Sequence, residues 1–167
     1  MRVWLFRFFI LFGVGAFIAF GQNLESILAQ TGLDEDLVAV LPVESPRGRV
    51  LFVFVYLSPR IFQSRIGPTL AEKLRPHVGT HSLLVWVYTM ASVSFDPRAL
   101  AFAQGEKRVS LSPEQVVPLE GDFLAGHLMP GIPVAAVIRL GNTLDPTQKL
   151  VIHYGNIAST TLAVRGK

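Results

Sequence analysis

Hydrophobic positions follow three successive rhythms along this chain. Residues 3–20 are apolar or glycine throughout apart from Arg7. Residues 22–36 then carry Leu24, Ile27, Leu28 and Leu33, a weak helical period interrupted by Gly32, which predicts a short helix or a linker. From Leu37 onward the period approaches two. Residues 37–43 and 50–57 are apolar and rich in Val, Phe and Tyr, and the cluster Glu44-Ser45-Pro46-Arg47-Gly48 lies between them. That pairing of strand and turn signals predicts a β-hairpin.

Ser58-Pro59 combines an N-cap residue with the imino acid favoured at the first helical position. The segment that follows is cut by Gly67-Pro68 and closed by Arg75-Pro76, so two short helical pieces are expected as an insert over 59–76. Residues 83–95 form the longest strand candidate. Val85, Val87, Thr89, Ala91 and Val93 share one face, and Trp86, Tyr88, Met90 and Ser92 share the other. Further short strands are expected at 99–103, 107–111, 133–140, 149–154 and 160–164, separated by Gln104-Gly105-Glu106, Gly141-Asn142, Asp145-Pro146 and Gly155-Asn156. Ser112-Pro113-Glu114-Gln115 predicts one helical turn. Short strands with regularly spaced turns point to one mainly β domain over 37–167, an antiparallel β-sandwich.

Residues 83–156 resemble secreted bacterial immunoglobulin-like sandwich domains of unassigned function. The resemblance lies in the long strand running into Phe95-Asp96-Pro97, the hairpin at Gly105, and Leu128-Met129-Pro130-Gly131 before Val134-Ala135-Ala136-Val137-Ile138. The closing strand at Tyr154-Gly155 belongs to it as well. It implies the scaffold, immunoglobulin-like with a helical insert, and carries no site residues.

Charge and composition place the chain. Of its 167 residues half are apolar, and the mean hydropathy is +0.45, too hydrophobic for a disordered chain. Arg2 and Arg7 precede thirteen uncharged residues, and Ala19-Phe20-Gly21 offers small residues for cleavage before Gln22. This is the pattern of a signal peptide over 1–21, with an uncleaved signal anchor as the alternative. Both put the remainder outside the cytoplasm, in the periplasm or cell envelope. With Arg2 and Arg7 set aside, 13 basic residues face 12 acidic ones. The sequence pI of about 9.6 therefore owes much to the leader, and nucleic acid is not an expected partner. The chain has no cysteine, which excludes thiol catalysis, thiolate metal sites and a lipid-modified cysteine anchor.

Candidate chemistry is sparse. His77-x3-His81 has the metal spacing of a helix, but Pro76 and Gly79 argue against a helix there. His127-x-Met129 places an imidazole and a thioether on one face of any strand, a soft pair suited to copper(I). The acid cluster Asp34-Glu35-Asp36 lacks the alternation of a calcium loop and is expected to be a solvated turn. No Gly-x-Ser-x-Gly and no phosphate loop outside the leader is present. In the insert, Ile61, Phe62, Ile66 and Leu70 alternate with Arg60, Arg65, Lys73 and Arg75. Those cations suit a membrane or partner surface, and the competing reading is a cap over the sandwich. The expectation is a non-enzymatic extracytoplasmic domain without a cofactor. It would bind another envelope component, protein or membrane surface, through the loops 112–132 and 141–148. The alternatives are a copper-binding or delivery protein using His127 and Met129, and a hydrolase.

Overall fold

The computed structural model describes residues 24–165. The leader, its cleavage position and its choice between signal peptide and anchor lie outside them. Eleven strands make up 42% of the described chain. The first hairpin joins β1 (Val38–Ser45) to β2 (Gly48–Tyr56), in register from Val38 opposite Val55 to Ser45 opposite Gly48. Two residues, Pro46 and Arg47, make the turn, and Ser45 Oγ donates to the Gly48 carbonyl at 2.7 Å. After the insert come β3 (Ser82–Thr89), β4 (Val93–Ser94), β5 (Leu100–Gln104), β6 (Lys107–Ser110), β7 (Val116–Glu120) and β8 (His127–Leu128). The last three are β9 (Val134–Arg139), β10 (Leu150–Tyr154) and β11 (Ala158–Leu162). They build an antiparallel five-stranded sheet in the order β1-β2-β3-β9-β7, a four-stranded sheet in the order β11-β10-β5-β6, and the pair β4-β8.

The two large sheets meet over a core of aromatic rings. Phe52 and Phe54 of β2 reach Tyr154 at 5.5 Å and Phe102 at 6.4 Å between centroids, and Phe52 meets Phe95 edge-on at 5.4 Å. Phe123 extends the chain of contacts beyond Phe95. Each such pair adds about 0.5–1.5 kcal/mol beyond the area it buries. Tyr88 and Phe95 are buried here, and Trp86 is half-buried.

The opposite face of the five-stranded sheet is covered as well. Val53, Val55 and Leu84 point away from the second sheet, yet they are fully buried. A helical layer supplies apolar side chains: α1 (Leu24–Thr31) buries Ile27, and the insert buries Ile61 and Leu74. The insert consists of a 3-10 turn at Pro59–Gln63, α2 (Pro68–Leu74) and a second 3-10 turn at Arg75–His77. Ser58 starts it as an N-cap, its hydroxyl accepting from Arg60 N–H at 3.2 Å. The Arg65 N–H donates to the Thr31 carbonyl at 2.7 Å, tying the insert to α1. Residues 22–36 thus contain a packed helix. The insert covers a face of that sheet, a cap over the side of the sandwich and not over its open end.

Two further expectations need correction. Residues 112–132 hold strands β7 and β8 as well as loop. β7 is an edge strand with a bulge between Pro118 and Glu120, the position where a sheet tolerates proline. The candidate strand at 83–95 divides at Met90-Ala91-Ser92 into β3 and β4. The same register resumes beyond the break, although within it Gly131 N–H bonds to the Thr89 carbonyl, one residue out of step, and Ile132 N–H closes a turn onto the Met129 carbonyl. Counting on from Val87 opposite Val134 in equal steps brings Val93 to Leu128 and Ser94 to His127, which are the observed β4–β8 pairs. β3–β4 and β8–β9 are therefore one ribbon, bent in its middle. The expected helical turn at Ser112 is present over Pro113–Gln115, with a capping box between Ser112 and Gln115.

Candidate functional site

The bend in the ribbon determines what its outer face presents. Val93 and Leu128 are buried beneath it, while Ser94 and His127 are exposed on the other side. Met129 follows β8 and opens a turn closed by Ile132 N–H on its carbonyl at 3.2 Å, and Met90 follows Thr89 at the end of β3. Met90 is 55% exposed and Met129 49%. Gly131 N–H donates to the Thr89 carbonyl at 3.0 Å and holds the two arms together across the bend. Ser94 Oγ lies 3.4 Å from His127 Nδ1, and Tyr88 Oη donates to the Met90 sulfur at 3.5 Å. His127 and Met129, paired from sequence spacing alone, gain Met90 as a third soft group.

A groove of about 390 Å³ opens beside this ribbon, lined by Phe95, Asp96, Pro97, Arg98, Leu111 and Leu124 among others. Its walls are fixed by the backbone. Asp96 N–H donates to the buried Tyr154 hydroxyl at 2.8 Å, Asp96 Oδ1 accepts from Arg98 N–H at 2.9 Å, and Phe95 N–H donates to the Gly126 carbonyl at 2.7 Å. Burial raises the Tyr154 hydroxyl above its ordinary pKa. Gly126 has φ +64°, and a Cβ there would press into the Phe95 carbonyl and approach Pro97 Cδ at 3.1 Å, so glycine is required. Leu124 is 43% exposed at the groove. It belongs to the 112–132 stretch that the sequence marked as a binding surface.

The second expected surface, 141–148, packs against the 77–82 turn and β5. Gln104 and the Asp145 backbone exchange two hydrogen bonds at 2.6 and 3.1 Å. Hydrogen bonds from the Thr147 side chain and backbone hold the Asp145 carboxyl below its usual range. His81 has φ +50°, outside the regions a non-glycine residue ordinarily occupies, and its Nδ1 is buried without a partner. Burial, and then Arg139, lower the His77 imidazole. Among the described residues no three of His, Asp and Glu converge in a way that could hold a metal, so His77 and His81 are not brought into such a site. His153 stands half-buried on β10, paired with Ala101 and Ser159.

The four basic residues of the insert do not act alike. Arg60 turns inward: its Nη1 reaches Asp34 Oδ2 at 2.7 Å and Asp36 Oδ1 at 3.1 Å, and its Nη2 reaches Asp36 Oδ2 at 2.6 Å. Asp36 also accepts from Arg165 N–H at 2.8 Å, so one carboxylate joins the N-terminal segment, the insert and the chain beyond β11. The guanidinium holds the Asp36 carboxyl below its usual range. The acid cluster is therefore a clasp, where a solvated turn was expected. A cleft of about 630 Å³ lies beside it, between the Asp34–Val38 backbone and Thr161, Ala163 and Arg165. Arg65, Lys73 and Arg75 remain on the surface. Arg65 and Lys73 make long bonds of 3.4 Å to the Ala29 and Leu119 carbonyls, and Arg75 stacks over Phe62 at 5.4 Å. Arg60 drops out of the candidate membrane face, which leaves three cations.

No family profile, curated protein or solved structure matches this chain.

Proposed function

We propose that this chain is a non-enzymatic, extracytoplasmic protein, immunoglobulin-like in its scaffold, that binds an envelope protein through the groove at Phe95–Arg98 and Leu124. The observation that carries the reading is the groove itself: a rigid cleft floored by Phe95 and Leu111, with Leu124 standing exposed at its edge. Asp96 and Arg98 border it with opposite charges. A concave apolar strip between a carboxylate and a guanidinium suits an extended polypeptide, which brings both apolar side chains and backbone dipoles. The basic, acid-free leader that ends at small residues supports the location. Rigid scaffolds commonly bind through loops of this kind.

Because the chain has no cysteine, a single substitution gives a unique label. Leu124→Cys in the full-length protein should react with a membrane-impermeant maleimide on cells whose outer barrier is opened. A thiol-anchored photocrosslinker at that position should join it to one discrete protein, whereas Ser159→Cys on β11 should label without an adduct. Labelling only after complete lysis would overturn the location. Identical adducts from both positions, or none from either, would overturn the groove as the binding surface.

A further inference from the structure

We propose that Met90, His127 and Met129 form a binding site for copper(I) on the outer face of the bent ribbon. The case is independent of the groove and rests on the backbone bonds that bracket the bend. On one side Val93 pairs with Leu128 and Ser94 with His127, and on the other Gly131 N–H donates to the Thr89 carbonyl at 3.0 Å. Met90 and Met129 both lie in the short segments held between these bonds, and His127 stands two residues before Met129. Methionine has three rotatable side-chain bonds, so two thioethers and an imidazole are within reach of one ion from these positions.

The donor set selects the ion. Neither segment of the bend, 89–94 or 127–132, bears a carboxylate. Hard cations such as calcium and magnesium need several charged oxygens and find none. Thioether sulfurs with an imidazole favour a soft, low-charge ion, and among biological metals that is copper(I). Ser94 Oγ lies 3.4 Å from Nδ1, and a hydrogen bond at that nitrogen commonly fixes a ligating histidine and leaves Nε2 to the metal. The apolar residues beneath, Val93 and Leu128, make the base of the site rigid. The exposure of all three donors also suits exchange of the ion with another protein.

The test is a competition. Full-length protein in mild detergent, kept anaerobic and reduced, is titrated against a chromophoric copper(I) chelator. One equivalent of copper should be withdrawn from the chelator. Met90→Leu, Met129→Leu and His127→Ala should each weaken binding by about a hundredfold, at least as much as loss of an outer-shell partner. Their melting temperatures should remain close to that of the parent, because the side chains are exposed. Silver(I), a redox-inert stand-in, should shift the methyl resonances of both Met90 and Met129, assigned through the leucine variants, while zinc(II) leaves them in place. Failure to withdraw copper would overturn the proposal. So would a Met90→Leu variant that binds as tightly as the parent, since Met90 is the donor that the fold, and not sequence spacing, adds to the site.

Discussion

Replacing Arg60 by Gln should lower the stability of the protein markedly, although the sequence grouped this residue with the cations suited to a membrane or partner surface. The side chain is 19% exposed and that of Asp36 16%, and three short hydrogen bonds join Arg60 to Asp34 and Asp36. An exposed ion pair contributes about 0.2–1 kcal/mol. A fully buried pair broken on one side costs about 3–5 kcal/mol, because the remaining charge loses its partner. The clasp stands between these limits, and about 2 kcal/mol is expected, in keeping with hydrogen bonds to charged groups. For a domain near this size that corresponds to a fall of roughly 4–8 °C in melting temperature. The dependence on pH follows from Asp36, whose carboxyl is depressed in the folded state below 3.8 by the guanidinium. A depressed carboxylate contributes stability that is complete above its unfolded pKa and is lost as pH falls through the folded one. Thermal melts of parent and Arg60→Gln should therefore differ most near neutrality and converge in strong acid. Melting temperatures within about 1 °C of each other at pH 7, the usual result for an exposed charge, would refute the clasp and return Arg60 to the surface set.

Gly126→Ala should destabilise the protein by about 3 kcal/mol or more, since it combines a left-handed backbone with a collision against the Phe95 carbonyl; a denaturant melt checks this, and a loss under 1 kcal/mol would mean that the groove wall yields freely. The triple substitution of Arg65, Lys73 and Arg75 by Gln should leave the melting temperature nearly unchanged. If the insert meets lipid, the parent should sediment with anionic vesicles at low salt, release at high salt, and lose this binding in the triple variant. A parent that ignores vesicles would leave the helical layer as a cover for the sheet.

Much of the scaffold was legible because its strands alternate and its turns use Gly, Pro, Asn and Asp. β2 was plain from its sequence, Val50 to Tyr56 being wholly apolar, whereas the turn before it is Pro46 and Arg47 alone, shorter than the Glu44–Gly48 cluster suggested. What escaped are features fixed by residues distant in sequence. β7 reads as loop because Pro118 and Glu120 are poor strand formers, and an edge position with a bulge is what lets them stay. The clasp joins Asp36 to Arg60 across 24 residues and to Arg165 across 129, separations over which no local period exists.

The ribbon shows the same limit from the other side. Alternation along one strand placed Met90 with Ser92, and spacing along another placed His127 with Met129; each pairing was visible alone. Joining them requires the register between the strands, which hydrogen bonds set and which neither segment encodes locally. The bend turns Val93 and Leu128 into the core and keeps the other face exposed, so the apolar methionines there lie outside the hydrophobic cover that shields the rest of the sheet. Burying Met90 and Met129 would gain about 1.5–3 kcal/mol for each side chain fully removed from water. Two such residues left exposed beside a histidine, on a ribbon pinned in place from beneath, are accounted for if their sulfurs are wanted as ligands. Leucine at both positions would then cost little in stability and should abolish the copper(I) site.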